Sequence, residues 1–363
     1  MMLRTSLFGF SRLAAVGLLG VLLVGLWFGS ASCAFTQPDG DSVMSTIPVT
    51  SDPNSVPSMM PVETTTLTSI TTSTSPVTRS VMVFVDTSRP TIARPPVPRS
   101  IKREFRTTIR HPAIGSGPWP LVVFGHGFNI STDAYSALLD TIAAAGFVVA
   151  APEFPGSSTQ LAGQPDEHDL QQEPCDLRFV ASQLLGASGD GIGVVTDSVG
   201  TESMKGLVKA GRIGLVGQSD GATAAAFAVL GSDGCSVAPG VRAAIQPADI
   251  SGVVAFSANP VPAAGITAAG RMAGSSLLAI TGGADRVNVP AHTMELFASW
   301  PGPAWLLTSI GDGHLSPATD SIHAAAIDAV VIDFLRGTVA AELSLTDRIT
   351  ADASVDGLTL VSH

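Results

Sequence analysis

The sequence predicts an α/β protein with a mostly parallel central sheet and helices on both faces. Three observations carry this. Short runs such as Leu121–Phe124 and Phe147–Ala150 are continuously apolar, as strands buried on both faces are. Stretches of helical length separate such runs. Hydrophobic residues make up 45% and charged residues 13%, with 37 Gly and 25 Pro, a balance that fits a large core with many turns and not a disordered chain. Composition also excludes some functions. Thirty acidic against nineteen basic residues give a net charge of −11, and the basic stretch from Arg94 to Arg110 is broken by prolines and Glu104. A nucleic-acid backbone is repelled by such a chain. Three cysteines without a Cys-x-x-Cys pair argue against a zinc finger, an iron–sulfur site or a dense disulfide scaffold.

Residues 1–34 read as a signal peptide or membrane anchor. Arg4 and Arg12 form a basic start, Leu13–Phe28 carries no charge, and small residues from Gly29 to Ala34 close the segment. The apolar run lies between a long signal and a short span, which needs ~17–25 residues. Either form puts the rest of the chain outside the cytoplasm, secreted or attached to the outer face of the membrane or envelope. Cys33 follows small residues, as a lipidated cysteine does, but Ser30 stands where that pattern carries an aliphatic residue. Residues 35–80 are Ser, Thr and Pro with scattered Val and Met, show no period, and read as a disordered linker.

Residues 81–363 form one domain on this reading. Strands are expected at Val81–Val85, Phe105–Arg110, Leu121–Phe124, Phe147–Ala150, Ile213–Val216, Gly252–Phe256, Leu277–Thr281 and Trp305–Ser309. Helices are expected near Thr132–Ala145, Leu170–Leu185, Gly221–Leu230, Ala291–Ser299 and Ile322–Leu335. Between Ser257 and Ser275 the chain is mostly Pro, Ala and Gly, leaving no room for a helical lid and predicting an open cleft.

The chemistry concentrates at Gly217-Gln218-Ser219-Asp220-Gly221, between a buried strand and an Ala-rich helix. The glycines permit a strained strand-to-helix turn that exposes the Ser219 hydroxyl as a nucleophile, and the helix dipole favours negative charge developing there. Such a hydroxyl needs a base, and the base an orienting carboxylate. Asp285 follows the strand Leu277–Thr281, and His314 lies in the Gly-rich loop after Trp305–Ser309. Both sit where active sites of open α/β sheets gather, past the carboxyl ends of strands. Imidazole titrates near neutrality and can take and return the Ser219 proton. Asp312 is too close to His314 in sequence to reach across as the acid, and Asp249 precedes its strand, at the wrong edge. A strand also ends in Gly125-His126-Gly127-Phe128, whose glycines allow close approach of the backbone. The Phe128 and Asp220 amides are the expected oxyanion-hole pair. His111, His168, His292 and His323 read as surface or packing residues.

These motifs resemble the α/β-hydrolase superfamily, and within it the secreted bacterial esterases grouped with chlorophyllase, platelet-activating-factor acetylhydrolase and cutinase-like polyester hydrolases. The resemblance runs through Val85–Pro90, Phe124–Phe128, Ala151–Gly156, Asp176–Val180, the Ser219 turn, Asp285 and Gly313-His314. It implies a Ser-His-Asp hydrolase of carboxylic esters without cofactor, acting on a small-molecule, lipid or polymer ester. Gln218 departs from the His more usual before the serine, and Ala222 from a frequent second Gly. An acyltransferase using the same triad, or a catalytically silent ligand-binding fold, are the alternatives.

Two further features remain. Cys175 and Cys235 lie in the exported portion, where a disulfide forms readily; if the expected helix directions hold they stand at opposite ends of the sheet, beyond bonding reach, and the sequence leaves both pairing and a small buried Cys235 open. Asp166-Glu167-His168-Asp169 has the residue types of a metal site, but adjacent side chains diverge and no second ligand group stands at suitable spacing; it reads as a solvated loop without metal.

Overall fold

The structure, a computed structural model, describes residues 77–188, 206–231, 245–262, 265–342 and 345–363, all within the unit Ser69–His363. The strands are β1 (Val77–Asp86), β2 (Arg103–Pro112), β3 (Trp119–Gly125), β4 (Val148–Pro152), β5 (Val208–Gln218), β6 (Ile250–Phe256), β7 (Ser276–Gly282), β8 (Ala304–Ser309) and β9 (Leu358–Ser362). They join one sheet in the order β1-β2-β4-β3-β5-β6-β7-β8-β9. From β4 to β8 every neighbouring pair is parallel, while β1, β2 and β9 pair antiparallel at the two edges. The chain runs from β3 outward to β4, then returns to lay β5 on the other side of β3. That reversal opens a crevice at the carboxyl ends of β3 and β5, where ligands of open α/β sheets bind.

The helices are α1 (Ser136–Ala144), α2 (Glu173–Ser188), α3 (Asp220–Leu230), α4 (Ala268–Met272), α5 (Pro290–Ser299), α6 (Ala324–Thr338) and α7 (Leu345–Asp352). Strand side chains alternate between two cores. Leu121 and Val123 face α2, α3 and α5; Val122 and Phe124 face α1, α6 and α7. The continuous apolar runs thus reflect burial on both faces. Only the single-turn α4 lies between β6 and β7 among the described residues, so no large lid covers that side. No helix among them is long and apolar enough to cross a membrane. The Leu13–Phe28 run, the linker core and Cys33 and Cys235 lie outside the described residues.

Several expectations are corrected. β1 begins at Val77, inside the stretch read as linker to Ser80, because backbone pairing of Val77–Ser80 with Ile109–Pro112 and an Arg79–Asp140 ion pair hold residues whose apolar pattern is faint. α7 and β9 were not expected; β9 is half exposed at the sheet edge and shows little hydrophobic signal. Cys175 is disulfide-bonded, and its partner lies outside the described residues. The acidic tetrad is only partly a solvated loop. Asp166 caps a short turn by accepting from the His168 amide at 3.0 Å, but Asp169 is fully buried.

Asp169 belongs to an ion network that ties β2 to the start of α2. Arg103, fully buried, donates to both oxygens of Asp169 at 2.8 and 2.7 Å and to both of Asp176 at 3.0 and 2.5 Å. Arg89 bridges Asp176 at 2.8 Å and Asp86 at 2.7 Å, bringing in the end of β1. Breaking a buried network leaves uncompensated charge, so Arg103→Met should cost about 3–5 kcal/mol in urea unfolding. A second titratable group acts in the opposite sense. Burial on α6 pushes Asp328 up to about 6, with a hydrogen bond from Thr141 pulling against the shift. The folded state therefore holds this proton more tightly than the unfolded chain. Its contribution is complete at pH values below the ordinary carboxylate range and is lost as pH rises through about 6. Asp328→Asn should raise stability at pH 7.5 by about 1–2 kcal/mol and leave it nearly unchanged at pH 4, read from urea midpoints at both pH values.

Candidate active site

Ser219 stands between β5 and α3 with φ 55° and ψ −122°, in the left-handed half of backbone space that disfavours side chains. Packing holds it there. A Cβ at Gly217 would lie 2.3 Å from the Gly221 carbonyl oxygen, and one at Gly221 would lie 2.2 Å from that of Gly125. Backbone therefore touches backbone where β3, β5 and α3 meet, and no larger residue fits at either glycine. The Ser219 amide also donates to Phe256 O at 2.8 Å, fixing the turn to β6.

The three residues expected from sequence come together. Ser219 Oγ donates to His314 Nε2 at 3.0 Å, and His314 Nδ1–H donates to Asp285 Oδ2 at 2.8 Å. The other Asp285 oxygen accepts from the Val287 and Asn288 amides at 2.8 and 3.0 Å. Asn288 Nδ2 donates to Ser257 O at 2.8 Å and so ties the acid-bearing loop to the end of β6. Asp285 is 4% exposed and fully engaged, as an orienting carboxylate must be. Asp312 points elsewhere, accepting from Ser309 and Ser321 hydroxyls at 2.6 and 2.5 Å, and shapes the loop that carries His314. Asp249 accepts from the Gln246 amide at 2.8 Å in the turn before β6 begins.

Phe128 lies in the turn after β3 and Asp220 at the first position of α3. The intervening Gly127 is against the nucleophile: a Cβ there would lie 3.2 Å from Ser219 Cβ. Beside Asp220 and Thr223, a cavity of about 490 Å³ opens between α3 and the start of α2. Burial raises the Asp220 carboxyl, the negative charge of Glu167 raises it further, and His314 pulls it back.

Gln218 and Tyr135 were not anticipated as parts of the site. Tyr135, the chain's single tyrosine, donates to Gln218 Oε1 at 2.8 Å, and Gln218 Nε2 donates to the His314 carbonyl at 3.1 Å. The signal was present as the departure at Gln218: an amide reaches both ways, linking the base's loop to α1. His126 is fully buried and accepts from the Phe154 amide at Nε2, 2.9 Å, which leaves Nδ1–H to donate to Gly127 O at 2.7 Å. Burial lowers its pKa, so the ring is a neutral clamp between the loops after β3 and β4. Among the described residues no group of three His, Cys, Asp or Glu could hold a metal ion.

Comparison with known proteins fits this geometry. Residues 93–249 match the family described as Chlorophyllase. The matched segment includes His126, Asp176 and Ser219 and ends before Asp285 and His314. No curated protein matches the chain. Sheet order, serine turn and family match agree: the chain has the α/β-hydrolase fold and is similar over residues 93–249 to the chlorophyllase family, a likeness that points to hydrolysis of esters.

Proposed function

We propose that the protein is an exported serine hydrolase of carboxylic esters that works through an acyl-enzyme. The observation that carries this is the continuous chain Ser219–His314–Asp285 on the strained turn. Ser219 Oγ attacks the ester carbonyl while His314 Nε2 takes its proton, and Asp285 holds Nδ1–H and stabilises the imidazolium. The carbonyl oxygen gains negative charge beside the Phe128 and Asp220 amides. The imidazolium then protonates the departing alkoxide, leaving Ser219 acylated. Water, deprotonated by His314, attacks the acyl group and releases the acid and the free serine. The cavity beside Asp220 and Thr223 offers room for one arm of the ester. Export rests on the N-terminal sequence, whose apolar run and small-residue end are those of a leader.

The decisive assay uses p-nitrophenyl esters of increasing chain length. Ser219→Ala should lose at least about 10³-fold in kcat, and Asp285→Asn about 10⁴-fold through the wrong imidazole tautomer. Undiminished turnover by well-folded Ser219→Ala would sink the assignment. Acyl transfer to an added alcohol in preference to water would move it to an acyltransferase, and specific ligand binding without turnover or covalent labelling of Ser219 to a silent fold. A milder lesion is expected at Gln218→Leu, which strands the buried Tyr135 hydroxyl: about 1–3 kcal/mol of stability, with a fall in kcat from the loosened His314 loop. Thermal unfolding and steady-state kinetics on one preparation check both.

A further inference from the structure

Arg94 is an unusual buried cation. It is 3% exposed, yet among the described residues its guanidinium donates to carbonyl oxygens and not to carboxylates. Nη1 donates to Pro155 O at 2.9 Å, and Nη2 reaches Ser158 O at 2.6 Å, Leu161 O at 3.2 Å and Gly163 O at 3.0 Å. All four acceptors lie on the loop that follows β4. That loop is shaped to receive it: a Cβ at Gly163 would lie 2.0 Å from the Arg94 carbonyl oxygen, and one at Gly156 would meet Asp169 at 2.1 Å. A guanidinium's planar fork suits several carbonyls at once, which an ammonium cannot match.

The loop so gripped is bonded to the one that carries Phe128. Asn129 N donates to Ser157 O at 3.0 Å, and Thr159 N to Ile130 O at 3.3 Å. Phe154 N donates to His126, and Glu153 accepts from the Thr132 amide at 3.1 Å and from the Thr132 and Ser158 hydroxyls. On the far side, Ser157 Oγ donates to Glu173 at 2.6 Å. Arg94 thus closes a strap of which residues 126–132 are the inner turn.

We infer that Arg94 is a positioning residue for ester hydrolysis: through the 155–163 loop it fixes the turn bearing the Phe128 amide at the distance an oxyanion requires. This rests on the proposed serine-hydrolase reading, but the strap can be tested apart from it. Small displacements of groups that stabilise a transition state are costly, so the loss belongs in kcat and not in KM.

The experiment compares Arg94→Met and Arg94→Lys with Arg348→Met, which removes a half-exposed ion pair to Asp333 on the other side of the sheet. Hydrogen exchange across residues 126–132 is measured alongside kcat and KM per active site titrated. Arg94→Met should speed exchange in that turn and lower kcat about tenfold or more, with KM within about twofold. Arg94→Lys, which keeps the charge and folds if Met does not, should recover only part. Arg348→Met should do neither. Unchanged exchange at 126–132 in both Arg94 variants overturns the strap, whatever the turnover. Accelerated exchange with unchanged kcat per site overturns the catalytic role. Failure of the hydrolase reading shows separately, as wild-type turnover that does not need Ser219.

Discussion

The contact on which the site depends is between backbones. Gly217 and Gly221 bring the ends of β3 and β5 and the start of α3 together at distances that exclude a Cβ, and Gly125 packs tightly against Gly221 from β3. Ser219 can hold its left-handed conformation because those neighbours leave the chain no relaxed alternative, and the strain of order 1–3 kcal/mol is carried by the surrounding core. The same contact aims the hydroxyl out of the sheet and sets the Asp220 amide beside it. It also fixes where the loop after β3 starts. The proposed nucleophile and oxyanion amides are thereby placed by one packing event, and Asp285 and His314, the proposed acid and base, then need only arrive from β7 and β8.

Those two arrive on loops that are each anchored several times over. Asp285 is fixed by two amides and by Asn288 reaching back to β6. His314 is fixed from below by Asp312 with Ser309 and Ser321, and from the side by Gln218 with Tyr135. The two loops also meet directly, with Ala284 N donating to Asp312 O and Gly283 N to Ser309 O, both at 2.8 Å, so the hydrogen bond between Asp285 and His314 joins parts already held together. Preorganisation of this kind is what makes a triad effective, since little rearrangement is left for the moment of reaction.

How much of this was legible in sequence follows from how local each signal is. Leu121–Phe124 and Ile213–Val216 announced buried strands because both their faces meet a core. Gly-x-Ser-x-Gly announced the turn because its glycines answer to contacts within a few residues and one neighbouring strand. Asp285 and His314 were legible from their places after strands. Asp169 was not, because its partner Arg103 is 66 residues away and nothing in Asp166–Asp169 distinguishes a buried carboxylate from its exposed neighbours. Arg94 was hidden the same way, in a stretch that reads as a loose basic segment. β9 escaped because an edge strand has one neighbour and a half-exposed face, which weakens the apolar pattern that reveals central strands.

Burial also decides where negative charge sits around His314. Desolvation lowers His126 and raises Glu173 well above its ordinary range, so the neutral forms of both are favoured beneath the loops. It raises Asp220 too, reinforced by Glu167, although His314 pulls against it. The orienting role falls to Asp285 by geometry, since its oxygens accept two amides and the imidazole N–H. The Asp220 side chain instead forms part of the cavity wall, next to its proposed oxyanion amide.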